Sequence, residues 1–137
     1  MPLQVELVSP ERIAFSGEAR MVVCRVEGGD IAFLPGHVPF ISTLRTHPVR
    51  VLLDDGTEQA IAVHQGFVEV SHDRVTILSD VCELSGDIDV PRARAAAARA
   101  EEALRSDAED EAAQAAWRRA EVRLEVAGAS TLSTAAH

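Results

Sequence analysis

Arg92, Arg99, Arg119 and Arg123 are the residues whose type and spacing come nearest to a ligand site. On helices, the first two stand two turns apart on one face and the last two stand one turn apart. If the two helices fold back on each other about Ala108, Arg92 falls opposite about Arg123 and Arg99 opposite about Arg119. Four guanidinium groups then crowd one patch, which costs a little unless an anion sits among them, and guanidinium forks suit phosphate oxygens. The competing reading is a solvated face on which Glu102, Glu121 and Glu125 neutralise the arginines. Asp89 also has a plain structural role open to it, because Asp just before a helix accepts backbone N–H groups and Pro91 suits the first turn.

Other chemistry is poorly provided for. His37, His47, His64 and His72 have no metal-ligand spacing with one another or with Cys24 and Cys82, so no metal site is expected. Ser42 with His37, or Cys24 with His64, could be paired as nucleophile and base, but no strained elbow, third orienting residue or oxyanion loop accompanies them. No phosphate-binding G-x-x-x-x-G-K-[ST] loop exists, and the chain holds no lysine to complete one. The reading is therefore not an enzyme. A net charge of −9 excludes general nucleic-acid binding. That charge is unevenly placed: residues 1–87 carry 6 Arg against 13 Asp and Glu, whereas residues 88–137 carry 7 Arg against 9. Cys24 and Cys82 sit in apolar runs as expected of buried free thiols.

The elements that must position these residues fall into two regions. From Leu3 to about Leu84, apolar residues alternate in short runs: Leu3, Val5 and Leu7, then Val22, Cys24 and Val26. Further strands are expected over 13–16, 31–34, 49–53, 58–63, 67–70 and 75–78. Turns are expected at Gly28-Gly29, Pro35-Gly36, Asp55-Gly56 and His72-Asp73, with Asp55-Gly56 as a tight hairpin whose two central residues both take positive φ. Many short strands at regular spacing imply a β-sandwich or flattened barrel. From Pro91 to Ala127 the composition turns Ala-rich, with a break at Ser106-Asp107, and predicts two helices. Their apolar stripes are Ala93, Ala96, Ala97, Ala100, Leu104 and Ala113, Ala116, Trp117, Ala120, Leu124. The predicted class is α+β: an antiparallel β-sandwich over 1–86, an antiparallel two-helix hairpin over 87–127, and a disordered tail over 128–137. With no leader pattern at the start and no apolar run near the roughly 20 residues of a membrane helix, the expectation is a soluble, cytoplasmic chain that reaches a membrane only through a partner.

Five segments, in order, resemble the epsilon subunit family of bacterial F-type ATP synthases: Val5–Arg12, Leu34-Pro35-Gly36-His37-Val38-Pro39-Phe40, Gly66–Val70, Val75–Asp80 and the join Ile88-Asp89-Val90-Pro91-Arg92-Ala93. The resemblance implies a non-catalytic central-stalk subunit. Its sandwich would bind the gamma subunit and rest on the c-ring, while its mobile hairpin restrains ATP hydrolysis at the alpha and beta subunits. It implies a peripheral place on the cytoplasmic face of the inner membrane. It also implies that Gly29, Asp30, Gly36, His37 and Pro39 lie in base segments facing gamma or the ring; the plain alternative for His37 is a rigid turn whose imidazole bonds locally. Glu83, Asp89, Arg92, Arg99, Arg119 and Arg123 fall where ATP-binding relatives carry equivalent residues, so a regulatory ATP is the implied ligand, with no obligatory cofactor. Two further readings stand beside this one: an ATP-sensing module, and an unrelated β-sandwich adaptor with a helical interaction arm.

Overall fold

The computed structural model describes residues 2–128 of the chain, so most of the tail expected to be disordered lies outside the described residues. The chain divides between Glu83 and Leu84 into two compact units. The first holds the strands β1 (Leu3–Ser9), β2 (Arg12–Ala19), β3 (Met21–Val26), β4 (Gly29–Phe33), β5 (Phe40–Leu44), β6 (His47–Leu52), β7 (Glu58–Val63), β8 (Gly66–Ser71), β9 (Arg74–Leu78) and β10 (Cys82–Leu84), the last crossing the boundary. They form two five-stranded sheets, β2-β1-β9-β8-β5 and β10-β7-β6-β3-β4. The ladders β1–β2, β5–β8, β8–β9, β3–β4, β3–β6 and β6–β7 are antiparallel, whereas β1 runs parallel to β9.

Alternation does the sorting. Leu3, Val5 and Leu7 on β1 point inward with Val68, Val70, Val75 and Ile77 from the same sheet. Val22, Cys24, Phe33, Val49, Val51, Ile61 and Val63 are among the buried residues of the second sheet. Each such side chain withdrawn from water contributes roughly 1.5–3 kcal/mol before chain entropy is counted, and two inward faces of this kind are what a sandwich interleaves.

Two strands were not expected from the pattern. β5 escapes it because its exposed phase carries Ile41, so apolar and polar residues do not alternate cleanly. β10 is only 3 residues long. The hairpin expectation at Asp55-Gly56 is corrected. Only Gly56 takes positive φ, at 88°, and the loop is wider: Gly56 N–H donates to the Leu53 carbonyl and Leu53 N–H to the Thr57 carbonyl. Asp55 instead accepts from the backbone N–H and the hydroxyl of Thr57, a local bond that competes with the tight turn. The two-residue turn with both central φ positive is His72-Asp73, at 51° and 58°, joining β8 to β9. At Gly28-Gly29 the connecting residues are Glu27 and Gly28, and Gly29 already begins β4. Gly66 opens β8 where the backbone passes against the end of β9, and a Cβ there would collide with the carbonyl oxygen of Leu78.

The second unit begins with a single 3₁₀ turn, Ser85–Asp87, and continues into α1 (Val90–Ser106) and α2 (Glu111–Val126). Asp89 caps α1 by accepting from Arg92 N–H at 3.1 Å, with Pro91 in the first turn where its missing N–H costs nothing. Asp110 caps α2 by accepting from Ala113 N–H at 3.0 Å. The helices touch through buried Ala93, Ala97 and Ala100 on α1 and Ala113, Ala120 and Leu124 on α2. Ala96, Leu104, Ala116 and Trp117, also assigned to the stripes, are half-buried, and Val122 and Val126, which were not, are buried.

Candidate functional site

The helix interface fixes where the hairpin arginines stand. At about 100° per residue, Arg92 and Arg99 lie about 100–120° to one side of the Ala93–Ala97–Ala100 stripe. Arg119 and Arg123 lie about 80–120° to the same rotational side of the Ala113–Ala120–Leu124 stripe. Because the helices run antiparallel, that shared sense of rotation turns both pairs to one flank of the hairpin. The other flank is marked by Trp117, whose Nε1–H donates to Glu101 Oε1 at 3.4 Å across the helices. This bond also sets the level, placing Arg119 beside Arg99 and Arg123 within one turn of Arg92. Arg92, Arg99 and Arg119 are exposed, while Arg123 is half-buried and has partners of its own. Glu102 is not their counterion, since it binds Arg105 at 2.6 Å on the solvent side of α1. By the same rotation Glu121 and Glu125 stand towards the Trp117 flank. Three exposed guanidinium groups on one flank are of the chemistry that suits an anion.

Asp89 is engaged as the α1 cap through Oδ1. Glu83 belongs to the sandwich, where its carboxylate binds Nε2 of buried His64 at 2.8 Å. That partner carried no signal in the sequence, because residues 64 and 83 meet only through the strand order of the second sheet.

The 34–37 segment is a tight turn, with His37 N–H donating to the Leu34 carbonyl at 3.1 Å, Pro35 at its first corner and Gly36 at φ 88° at its second. The His37 ring bonds locally: Nδ1 donates to the Val38 carbonyl at 2.7 Å, and the ring stands edge-on to Phe33 at 5.0 Å. Pro39 and Gly36 are exposed, as are the apolar Leu34 and Val38. Asp30, next to Gly29 on β4, accepts from Arg25 Nε at 2.7 Å. That bond outweighs the opposing cost of burial and, with the charges of Arg25, His47 and Arg50, holds its carboxyl below the usual carboxylate range.

A feature missed in the sequence crosses the outer face of the first sheet. Ile13 pairs with Val8, Val8 with Leu78, Leu78 with Phe67, and Phe67 with Thr43. This lays an apolar row over four of the five strands, ending at Thr43 on β5, where Ile41 flanks it. Ile13, Leu78, Phe67 and Ile41 are 62%, 52%, 55% and 70% exposed. Large apolar residues in the outward phase, such as Phe67 in step with Glu69, were the available signal; the row itself needs the strand registers. Among the described residues no group of three or more metal-ligating side chains occurs, and no helix is long and apolar enough to cross a membrane.

Residues 2–85 match the family model described as the ATP synthase delta/epsilon chain beta-sandwich domain, and residues 87–128 match the long alpha-helix domain of the same chain. The ATP synthase epsilon chain of Brevibacillus brevis is 48% identical over 102 residues, covering 74% of this chain and 77% of that one. The epsilon chain of Streptomyces griseus is 44% identical over 122 residues, covering 89% and 92%. Among solved structures, a chain in the Euglena gracilis mitochondrial ATP synthase assembly of OSCP, F1 and c-ring superposes with a TM-score of 0.70 at 20% identity, covering 99% of this chain and 82% of that chain. A chain in the Tetrahymena thermophila mitochondrial central stalk and c-ring assembly gives 0.54 at 12% identity, covering 69% and 72%. The likeness to these two is one of fold.

Proposed function

The chain belongs to the ATP synthase delta/epsilon chain family, and from that premise we propose that it is a non-catalytic rotor subunit whose sandwich docks on the gamma subunit through the apolar row of Ile13, Val8, Leu78 and Phe67. The row carries the reading. A sheet face that keeps its largest apolar side chains more than half exposed, with an apolar row in register across four strands, is suited to burial by a partner rather than to water. The turn at 34–39 and the neighbouring Gly29-Asp30 segment then face the c-ring, and the chain is peripheral on the cytoplasmic face of the membrane through the complex alone. The hairpin restrains hydrolysis by setting its arginines against the alpha and beta subunits.

The test is retention in the complex. Replacing Phe67 and Leu78 together by Thr keeps strand propensity while removing two apolar anchors worth roughly 1.5–3 kcal/mol each on burial. Affinity for an ATP synthase stripped of this subunit should fall at least a hundredfold while the isolated chain melts unchanged. Undiminished affinity would remove this face as the docking surface.

A second reading is favoured by the arginine flank: the folded hairpin captures ATP, with its phosphates among Arg92, Arg99, Arg119 and Arg123. Capture would hold the hairpin closed and so release hydrolysis from restraint when ATP is plentiful.

A further inference from the structure

The His72-Asp73 turn places both residues in the left-handed region, at φ 51° and 58°, with neither glycine nor asparagine present. Tight hairpin turns of this kind favour Asn-Gly, Asp-Gly or Gly-Gly, with glycine at the second position, because a Cβ is crowded there, although Asp and His tolerate the left-handed region better than most residues. The residue at the second position is nevertheless not the glycine that fits best, and its side chain is engaged. Asp73 is used twice. Its carbonyl oxygen accepts from Gln4 N–H at 2.8 Å, tying the turn to β1. Its Oδ1 accepts from Gly36 N–H at 2.7 Å, a short bond of the kind a charged acceptor makes, to a residue 37 positions away.

From this geometry we propose that Asp73 is a positioning residue for the docking turn at 34–39. The peptide joining Pro35 to Gly36 sits at the outer edge of that turn, and its N–H points away from the turn's own Leu34–His37 bond. Without Asp73 this N–H has water as its partner, and the peptide is free to rotate about the flexible Gly36. With Asp73 it is fixed against the β8–β9 hairpin, which in turn is paired along both β5 and β1. The exposed side chains of Leu34 and Val38 are thereby presented from a rigid frame, so that ordering the loop does not have to be repeated at each encounter. A glycine at position 73 would suit the turn better but would lose the carboxylate.

The inference rests on the reading of the 34–39 turn as a docking element, and the experiment separates the two. Amide exchange at Gly36 is followed by NMR in the full chain, and affinity is measured for ATP synthase stripped of this subunit. Asp73→Gly relieves the turn, so melting should be unchanged or raised, while Gly36 exchange should accelerate at least tenfold and affinity should fall several-fold. Asp73→Asn tolerates the same φ and offers an amide oxygen, so it should restore both. Leu34→Ser with Val38→Ser tests the loop itself and should lose affinity without altering Gly36 exchange. Unchanged Gly36 exchange in Asp73→Gly overturns the proposal. If the Leu34/Val38 variant loses affinity and Asp73→Gly does not, the proposal alone fails. If neither loses affinity, the docking reading of the loop has failed and the proposal falls with it.

Discussion

Nε2 of His64 stands 2.8 Å from Oε1 of Glu83, and this contact clasps the β7–β8 turn to β10. The imidazole is 5% exposed, and among the described residues its Nδ1 has no hydrogen-bond partner. Glu83 therefore satisfies the one ring nitrogen that is satisfied at all. Glu83→Ala should cost about 1–3 kcal/mol in urea unfolding, the penalty of stranding a buried polar group, and Glu83→Gln should cost less because its amide oxygen still accepts. Equal stability of all three chains would show that the clasp contributes nothing.

The arginine flank makes a ligand prediction. Millimolar MgATP should stabilise the hairpin of the isolated chain by RT ln(1 + [L]/Kd), about 2.7 kcal/mol at a hundredfold excess over Kd. Arg92→Ala, Arg99→Ala or Arg119→Ala should abolish the rise in melting temperature. Arg94→Ala should not, since that residue sits about 200° round α1 from Arg92, on the Trp117 flank. No response of the unaltered chain to MgATP would leave the flank without a nucleotide role.

Gly66 predicts a backbone effect. Its φ of 158° and the carbonyl of Leu78 against its α-carbon leave no room for a methyl group. Gly66→Ala should cost about 3 kcal/mol, since β9 must move to admit it. Gly28→Ala, where nothing lies within reach of an added Cβ, serves as the control. Chemical denaturation of both variants decides the matter.

Burial, and secondarily the charge of Asp30, push the Cys24 thiol up to about 12, and burial raises Cys82 as well. A thiol kept neutral in the fold leaves stability level while the unfolded thiol is also neutral. Above pH about 9 the unfolded chain sheds the proton first, so stability should fall as pH rises towards about 12. The chain has no lysine and no tyrosine to mask this. Urea midpoints measured between pH 7 and 11 should show the decline in the unaltered chain and lose most of it in Cys24→Ala with Cys82→Ala.

Local periodicity carried much of the architecture. Leu3, Val5 and Leu7 mark β1 by alternation, and the Ala93–Ala97–Ala100 spacing marks the inner face of α1. The seven-residue interval from Arg92 to Arg99 places both on one flank of any helix, so that part of the candidate site was legible. Asp89 before Pro91 was legible as a cap for a similar reason: the bond it makes spans three residues. What could not be read depends on register between distant strands. Val8 meets Leu78, and His64 meets Glu83, only after the order of the sheets is known. β5 was hidden by its own surface, because Ile41 occupies an outward position where a polar residue normally signals the strand.

The parallel pairing of β1 with β9 sets the order in which the chain assembles. β1 lies in the middle of its sheet, between β2 and β9, yet Gln4 must wait for Arg74 to be made before the ladder on that side can form. On the ribosome, β1 is thus held by β2 alone until most of the sandwich has emerged. Long-range pairing of this type raises the contact order and slows folding to milliseconds or longer, whereas a helical hairpin with local contacts closes in microseconds. The two units accordingly mature on different clocks. Deleting β1 removes an interior strand rather than a fringe, so the last step of folding would be deprived of its template.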